Sequence, residues 1–139
     1  MDTDVFSALF VTPRAPQREA HLVDEWRASL AGVRVAITFQ TRAELLAGAR
    51  SGGWGVKKLT HLATAIAAVP VIGLGEDVLQ AYVTLTAECK ASGHALHAKV
   101  HTADRWIASC AIAKGVPLLS GDGIYRNAPG LRLLAAAQS

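Results

Sequence analysis

Apolar positions recur at two spacings along this chain, one typical of helices and the other of strands. Intervals of three and four residues predict helices over residues 17–30, 41–49, 57–68 and 76–91, and over residues 103–114 with Thr102 as the N-cap. Alternation and short apolar runs predict strands over residues 33–39, 69–74, 116–119 and 131–134. A short first helix is also predicted, with Asp4 as its N-cap. Because helices alternate with strands, we expect an α/β fold whose sheet is mostly parallel and carries helices on both faces.

Length and composition indicate one soluble globular domain over residues 1–139. A hydrophobic fraction of 51% excludes a disordered chain, and a net charge of +3 permits an anionic partner without requiring one. Cys89 and Cys110 lie in apolar helical patterns, which predicts buried thiols in a reducing compartment. The most apolar run, residues 62–74, is interrupted by Pro70 and Gly73 and is too short to span a bilayer. With no secretory signal at its start, the protein is expected in the cytoplasm, away from membranes.

The acidic residues fall into two groups. One group lies on polar helix faces or at helix starts and comprises Glu19, Asp24, Glu25, Glu76, Asp77 and Glu88. The other follows predicted strands or opens helices and comprises Asp2, Asp4, Glu44, Asp104 and Asp122. Residues so placed meet at one edge of a parallel sheet, where clustered carboxylates need a cation to stay ionised. Oxygen ligands favour Mg²⁺ or Mn²⁺, which can activate a water for in-line attack on a phosphodiester.

Each acid of the second group also has a purely structural interpretation. Asp2 or Asp4 caps the first helix, and we prefer that interpretation for Asp4. Glu44 completes a capping box with the threonine three residues before it, and Asp104 complements a helix dipole. Asp122, in Gly-Asp-Gly, is a turn residue. The joint placement of the acids, rather than any single position, favours a functional site.

Several short motifs, taken in chain order, resemble the signatures of PIN-domain proteins. They are Asp2-Thr3-Asp4-Val5, Ala43-Glu44-Leu45-Leu46-Ala47-Gly48, Ala103-Asp104-Arg105-Trp106-Ile107-Ala108 and Pro117-Leu118-Leu119-Ser120-Gly121-Asp122, closed by Pro129-Gly130-Leu131. Within that family the chain is most similar to VapC toxins, the ribonuclease halves of bacterial toxin–antitoxin pairs. The resemblance implies a three-layer α/β/α sandwich and Mg²⁺- or Mn²⁺-dependent cleavage of RNA. It also implies a homodimer and a small inhibitory antitoxin.

The same resemblance implies roles for individual residues. The catalytic, metal-binding acids would be Asp2, Glu44, Asp104 and Asp122. Ser120 would assist near the last of them, and Asp4 would support the first. Two features depart from the family pattern. Only Met1 precedes the first acid, and the Gly-Asp-Gly turn lacks a second acid before Tyr125.

Basic and aromatic residues near the acids suggest contacts with RNA. Phosphate contacts are predicted for the arginines adjacent to the acids in sequence, Arg42, Arg105 and Arg126. Trp54, in a glycine-rich loop, either stacks on a base or packs on its own domain. The spacing of His94, His97 and His101 raises the question of a zinc site, but we prefer a basic rim that contacts RNA or antitoxin.

Two alternatives to the ribonuclease toxin stay open at this stage. The opening Asp2-Thr3-Asp4-Val5-Phe6 resembles the Asp-x-Asp-x-Val motif of haloacid-dehalogenase-like phosphohydrolases, in which Asp2 would be the nucleophile. That hypothesis lacks the hydrophobic strand expected before the motif and leaves Glu44 without a role. The other alternative is a catalytically inactive PIN-like domain that binds RNA or protein.

Overall fold

The structure, a computed structural model, describes residues 1–11 and 20–134 of the chain. The chain forms two compact units, Met1–Ile72 and Gly73–Ser139. Each unit has its own buried apolar cluster and its own parallel strand pairing. Over the described residues, no helix is both long and apolar enough to cross a membrane.

The first unit is mostly helical. Its helices are α1 (Thr3–Phe6), α2 (Ala20–Leu30), α3 (Phe39–Ser51) and α4 (Val56–Ala67), and a π-helical turn, Ser7–Val11, follows α1. Strands β1 (Ile37–Thr38) and β2 (Val71–Ile72) run parallel, with Ile37 opposite Val71. The buried apolar cluster contains Phe6, Val11, Ile37, Leu45, Ala49, Leu62 and Ile66.

The predicted strand over residues 33–39 is wrong in length, because Thr38 ends it by starting α3. The Thr38 hydroxyl accepts a hydrogen bond from the Thr41 backbone N–H at 3.1 Å, which makes Thr38 the N-cap. Thr41 therefore lies inside the helix, and the predicted capping box between Thr41 and Glu44 is also wrong. The predicted strand over residues 69–74 shortens in the same way to the two residues of β2.

The first helix begins two residues earlier than predicted. Asp2, rather than Asp4, is its N-cap, since the Asp2 carboxylate accepts a hydrogen bond from the Thr3 backbone N–H at 2.7 Å. No described strand precedes Asp2; instead the Met1 nitrogen donates to the Ala36 carbonyl at 2.8 Å, beside β1. Helix α2 ends at Leu30 as predicted, while the predicted residues 17–19 lie outside the described part of the chain.

Two long helices form most of the second unit. Helix α5 (Glu76–Ser92) is followed by 3₁₀ turns at Ala95–His97 and Lys99–His101, helix α6 (Thr102–Lys114) and a 3₁₀ turn at Gly123–Tyr125. Gly93 and Gly115, at φ of 74° and 63°, end α5 and α6 in the left-handed conformation that favours glycine. The buried cluster contains Leu85, Cys89, Leu96, Ile107, Ala108, Ala111, Leu118, Tyr125 and Ala128.

The strands predicted over residues 116–119 and 131–134 shorten to one parallel bridge between Leu118 and Leu133. The Leu118 N–H donates to the Arg132 carbonyl, and the Leu134 N–H donates to the Leu118 carbonyl, both at 2.9 Å. The parallel direction agrees with the sequence prediction, and the length does not.

Both cysteines are buried and free, as predicted. Burial raises the pKa of the Cys89 thiol, and burial together with the Asp77 carboxylate raises the pKa of Cys110 to about 11. At pH 8 only about one Cys110 in a thousand is then a thiolate, the reactive form.

We therefore predict that Cys110 reacts with Ellman's reagent at pH 8 at least about a hundredfold faster in urea than in the folded protein. The Cys89→Ala variant isolates this thiol, and absorbance follows the reaction. Rapid stoichiometric labelling of the folded variant would contradict the burial of Cys110.

Candidate functional site

In the first unit, Thr3 connects two of the predicted acids. Its backbone N–H donates to Asp2 Oδ1 at 2.7 Å, and its hydroxyl donates to Glu44 Oε2 at 2.6 Å. Asp2 is 6% exposed and Glu44 is half-buried. The N-terminal end of α1 and the second turn of α3 thus present their carboxylates to one shared residue. No role for Thr3 was predicted from the sequence.

A series of hydrogen-bonded threonine hydroxyl groups ends at the Glu44 carboxylate. The buried Thr38 hydroxyl donates to Thr41 Oγ1 at 3.4 Å, and Thr41 Oγ1 lies 2.9 Å from Thr3 Oγ1. Because an ionised carboxylate only accepts, the Thr3 proton points to Glu44, and Thr41 must donate to Thr3. Gln40 Nε2 donates to the other oxygen, Glu44 Oε1, at 3.1 Å. These donors fix the orientation of the Glu44 carboxylate.

Two other predicted residues of this unit lie on the surface. Asp4 and Arg42 are exposed, and no hydrogen bond or ion pair joins either side chain to another described residue. Their supporting role and RNA contact stay predictions.

Trp54 packs on its own unit, one of the two alternatives left open by the sequence. Its ring is half-buried against the apolar cluster, and the Lys58 ammonium lies 5.5 Å from the ring centre. A small pocket of about 340 Å³ adjoins it, lined also by Val11, Lys57 and His61.

In the second unit, Asp104 is held by donors on both of its carboxylate oxygens. His101 Nδ1 donates to Oδ2 at 2.9 Å, and the Tyr125 hydroxyl donates to Oδ1 at 3.3 Å. Thr102, predicted as the N-cap of α6, is instead the first residue of the helix, and its hydroxyl donates to the Lys99 carbonyl at 2.7 Å. The His101 contact was not predicted from the sequence, although the position of His101 three residues before Asp104 is compatible with such a bond.

The turn after Ser120 orders the last predicted acid. Buried Ser120 accepts a hydrogen bond from the Asp122 N–H at 3.0 Å, and exposed Asp122 Oδ1 accepts one from the Ile124 N–H at 3.0 Å. Asp122 thereby caps the turn Gly123–Tyr125, so its interpretation as a turn residue is confirmed. The same turn contains Tyr125, whose hydroxyl bonds Asp104. A metal-binding role for Asp122 stays a prediction.

The predicted RNA contact of Arg105 is wrong, because the side chain is buried. The side chain is 5% exposed, and its guanidinium donates to the carbonyls of Leu96 and Ala98 and to the Tyr82 hydroxyl, the last at 3.0 Å. Because the guanidinium is buried and bonded to groups of its own unit, Arg105 is not available for the predicted RNA contact. Arg126 is exposed on the wall of a groove of about 760 Å³, and its RNA contact stays a prediction.

His94 and His97 hydrogen-bond within turns, whereas His101 bonds Asp104. His94 Nδ1 accepts from the Leu96 N–H at 3.1 Å, so Nε2 carries the proton and donates to the Arg126 carbonyl at 2.7 Å. His97 Nδ1 donates to the His94 carbonyl at 2.7 Å. Within neither unit do three or more described His, Cys, Asp or Glu side chains form a group arranged to hold a metal ion.

The donor chemistry of the predicted acids nevertheless suits a hard divalent cation. All four offer carboxylate oxygens, and each oxygen that accepts one hydrogen bond keeps a further lone pair for a metal. The donors on Glu44 and Asp104 orient these oxygens, as is usual for metal-ligating carboxylates. Mg²⁺ or Mn²⁺ therefore fits the residues present better than zinc does.

Comparison with known proteins gives one family match and one instructive structure. The family model of the PIN domain matches residues 1–131 and so runs through both units. A chain in the crystal structure of VapBC2 from Rickettsia felis, bound to a DNA fragment from their promoter, is 19% identical with a TM-score of 0.74. The alignment covers 95% of this chain and 93% of that chain. No curated protein matches the sequence. The predicted fold class is confirmed.

Proposed function

Because this chain belongs to the PIN-domain family, we propose that it is a metal-dependent endoribonuclease, the toxin of a toxin–antitoxin pair. Proteins of this family are typically nucleases and generally use divalent metal ions. The observation that carries the proposal is the fixing of Asp2 and Glu44 by Thr3. Both acids stand in motifs that resemble the family signatures, and their carboxylates are oriented by short hydrogen bonds.

The hydrogen bonds around Glu44 support the proposal that this carboxylate binds a cation. Four side chains hold its carboxylate directly or through other hydroxyls, yet none of the described lysines or arginines forms an ion pair with it. Donors of this kind stabilise negative charge without neutralising it. A divalent cation would supply the missing positive charge. The capping box, which was the structural alternative for Glu44, does not form.

We assign Mg²⁺ or Mn²⁺ binding to Asp2, Glu44, Asp104 and Asp122. When bound, such an ion lowers the pKa of a water ligand and polarises a phosphoryl oxygen. The protein's own contribution is to hold the acids: Thr3 orients Asp2 and Glu44, and Ser120 supports the turn of Asp122. Exposed Arg42 and Arg126 would contact RNA phosphates.

We propose three partners, which are an RNA substrate, a small cognate antitoxin and a second copy of the chain in a homodimer. The likeness to a chain of the VapBC2 complex supports the antitoxin. We also expect a cytoplasmic location, where RNA and a co-expressed antitoxin would be available. The match to the PIN family favours this function over a haloacid-dehalogenase-like phosphohydrolase.

The test is cleavage of total cellular RNA by the purified, antitoxin-free protein in Mn²⁺, in Mg²⁺ and in EDTA. We expect discrete fragments with either metal and none in EDTA, because the proposed chemistry needs the ion. The Glu88→Gln variant, which alters an exposed carboxylate of α5, should cleave like the wild type and serves as a matched control.

Three results would count against the proposal. Cleavage that is insensitive to EDTA would point to another nuclease in the sample. A folded protein that binds RNA but leaves it intact would support the inactive binding domain. Hydrolysis of small phosphate esters in place of RNA would instead support the phosphohydrolase.

A further inference from the structure

We propose that His101 and Tyr125 are positioning residues, which hold the Asp104 carboxylate in the orientation that binds the divalent cation. This inference rests on the proposed function and extends it, because it assigns a role to two side chains outside the acid set. It predicts that cation affinity depends on these two hydrogen-bond donors as well as on the carboxylates.

The geometry restricts the Asp104 carboxylate from two directions. Asp104 is the third residue of α6, His101 directly precedes that helix, and Tyr125 belongs to the turn Gly123–Tyr125. One donor bonds Oδ2 and the other bonds Oδ1, so the plane of the carboxylate is set as well as its direction. A carboxylate so held loses less rotational freedom when it binds an ion.

The His101 contact is the stronger of the two. Its length of 2.9 Å is typical of an N–H···O bond, and Nδ1 must carry the proton because a carboxylate only accepts. The His101 and Asp104 side chains are 29% and 27% exposed, so the bond is partly shielded from water. No other described residue forms a hydrogen bond with the His101 ring.

The Tyr125 contact is set by the core of the unit. The residue is 1% exposed and belongs to the buried apolar cluster, so packing fixes the place of its hydroxyl. Asp122 caps the same turn and thereby helps to place Tyr125 as well as offering its own carboxylate. At 3.3 Å this bond is longer than a typical O–H···O bond of roughly 2.7–2.8 Å. Removing it should therefore weaken cation binding less than removing the His101 bond.

Outer hydrogen-bond partners of metal ligands typically contribute about tenfold to a hundredfold in metal affinity. We expect His101→Ala to weaken Mn²⁺ binding by about this factor, and Tyr125→Phe by a few-fold to about tenfold. The Phe variant keeps the ring that fills the core and removes only the hydroxyl.

The experiment is a titration of the full-length protein with Mn²⁺ alone, in which electron paramagnetic resonance counts the free ion. His101→Asn keeps an amide N–H near the place of Nδ1, whereas His101→Gln offers one near Nε2. We expect Asn to restore most of the affinity lost in Ala, and Gln to restore little. Thermal unfolding checks that each variant remains folded.

Steady-state kinetics give a second readout. At saturating Mn²⁺ the variants should recover the wild-type kcat with an unchanged KM for RNA, because only cation binding is impaired. Equal Mn²⁺ affinity in wild type, His101→Ala and Tyr125→Phe would overturn the inference. So would a wild type that binds no Mn²⁺. A wild type that binds Mn²⁺ but never cleaves RNA would refute the proposed function, while the affinity series would still decide the role of His101 and Tyr125.

Discussion

The Asp104→Asn variant should cleave RNA about a thousandfold more slowly than the wild type, or not at all, because a metal ligand supplies several kcal/mol to the transition state. The amide has the shape of the carboxylate, so it can still accept from His101 while its NH₂ group donates to the Tyr125 hydroxyl. What disappears is the negative charge. The fold should therefore survive the change and the activity should not.

The measurement is the initial rate on a fluorescent RNA oligonucleotide at saturating Mn²⁺, with thermal unfolding of each variant alongside. Asp2→Asn and Glu44→Gln should show losses of the same kind. Glu88→Gln, on the surface of α5, should keep the wild-type rate. Equal rates in Asp104→Asn and Glu88→Gln would refute the assignment of the acids.

The Arg105→Met variant should lower the free energy of unfolding by about 3 to 5 kcal/mol, because it removes the charged donor of three hydrogen bonds inside the unit. The methionine fills part of the volume but leaves the carbonyls of Leu96 and Ala98 and the Tyr82 hydroxyl without their donor. Each buried polar group left unsatisfied costs about 1 to 3 kcal/mol. Arg105 also lies 5.3 Å from the centre of the Tyr82 ring, a cation–π contact that the variant loses.

Urea denaturation measures this loss, and Arg126→Met is the matched control. Arg126 is exposed, so its variant should change stability by no more than about 0.5 kcal/mol while weakening RNA binding. The opposite pattern, in which Arg105→Met keeps its stability and loses RNA affinity, would restore the RNA contact that the sequence suggested.

Helices were predictable because their signals are local. The predictions over residues 57–68 and 76–91 agree within one residue at each end with α4 and α5. Glycines mark the ends of α5 and α6 in the sequence itself. Strand lengths were not predictable in this way, since β1 ends where Thr38 caps α3, and its pairing partner lies in β2. Thr38 and Thr41 were both possible N-caps, and neither residue indicates how the strands pair.

The acids of the candidate site were identified from sequence, but their partners were not. Thr3 bonds Glu44 across 41 positions, and Tyr125 bonds Asp104 across 21. Contacts between such distant residues leave no periodicity in the chain. The burial of Arg105 was missed for a related reason. Its position next to Asp104 in sequence suggested a shared surface, whereas its side chain turns to the carbonyls of the preceding turns.

The chemical identity of the RNA ends produced in Mn²⁺ tests the proposed function most directly. If water is the nucleophile that attacks the phosphodiester, each cut would leave a linear monophosphate on one new end and a hydroxyl on the other. We expect these ends with the wild type and no cut in EDTA or with Asp104→Asn. Ends that carry 2′,3′-cyclic phosphate and persist in EDTA would show that the 2′-hydroxyl of the RNA is the nucleophile. The carboxylates would then not carry the reaction.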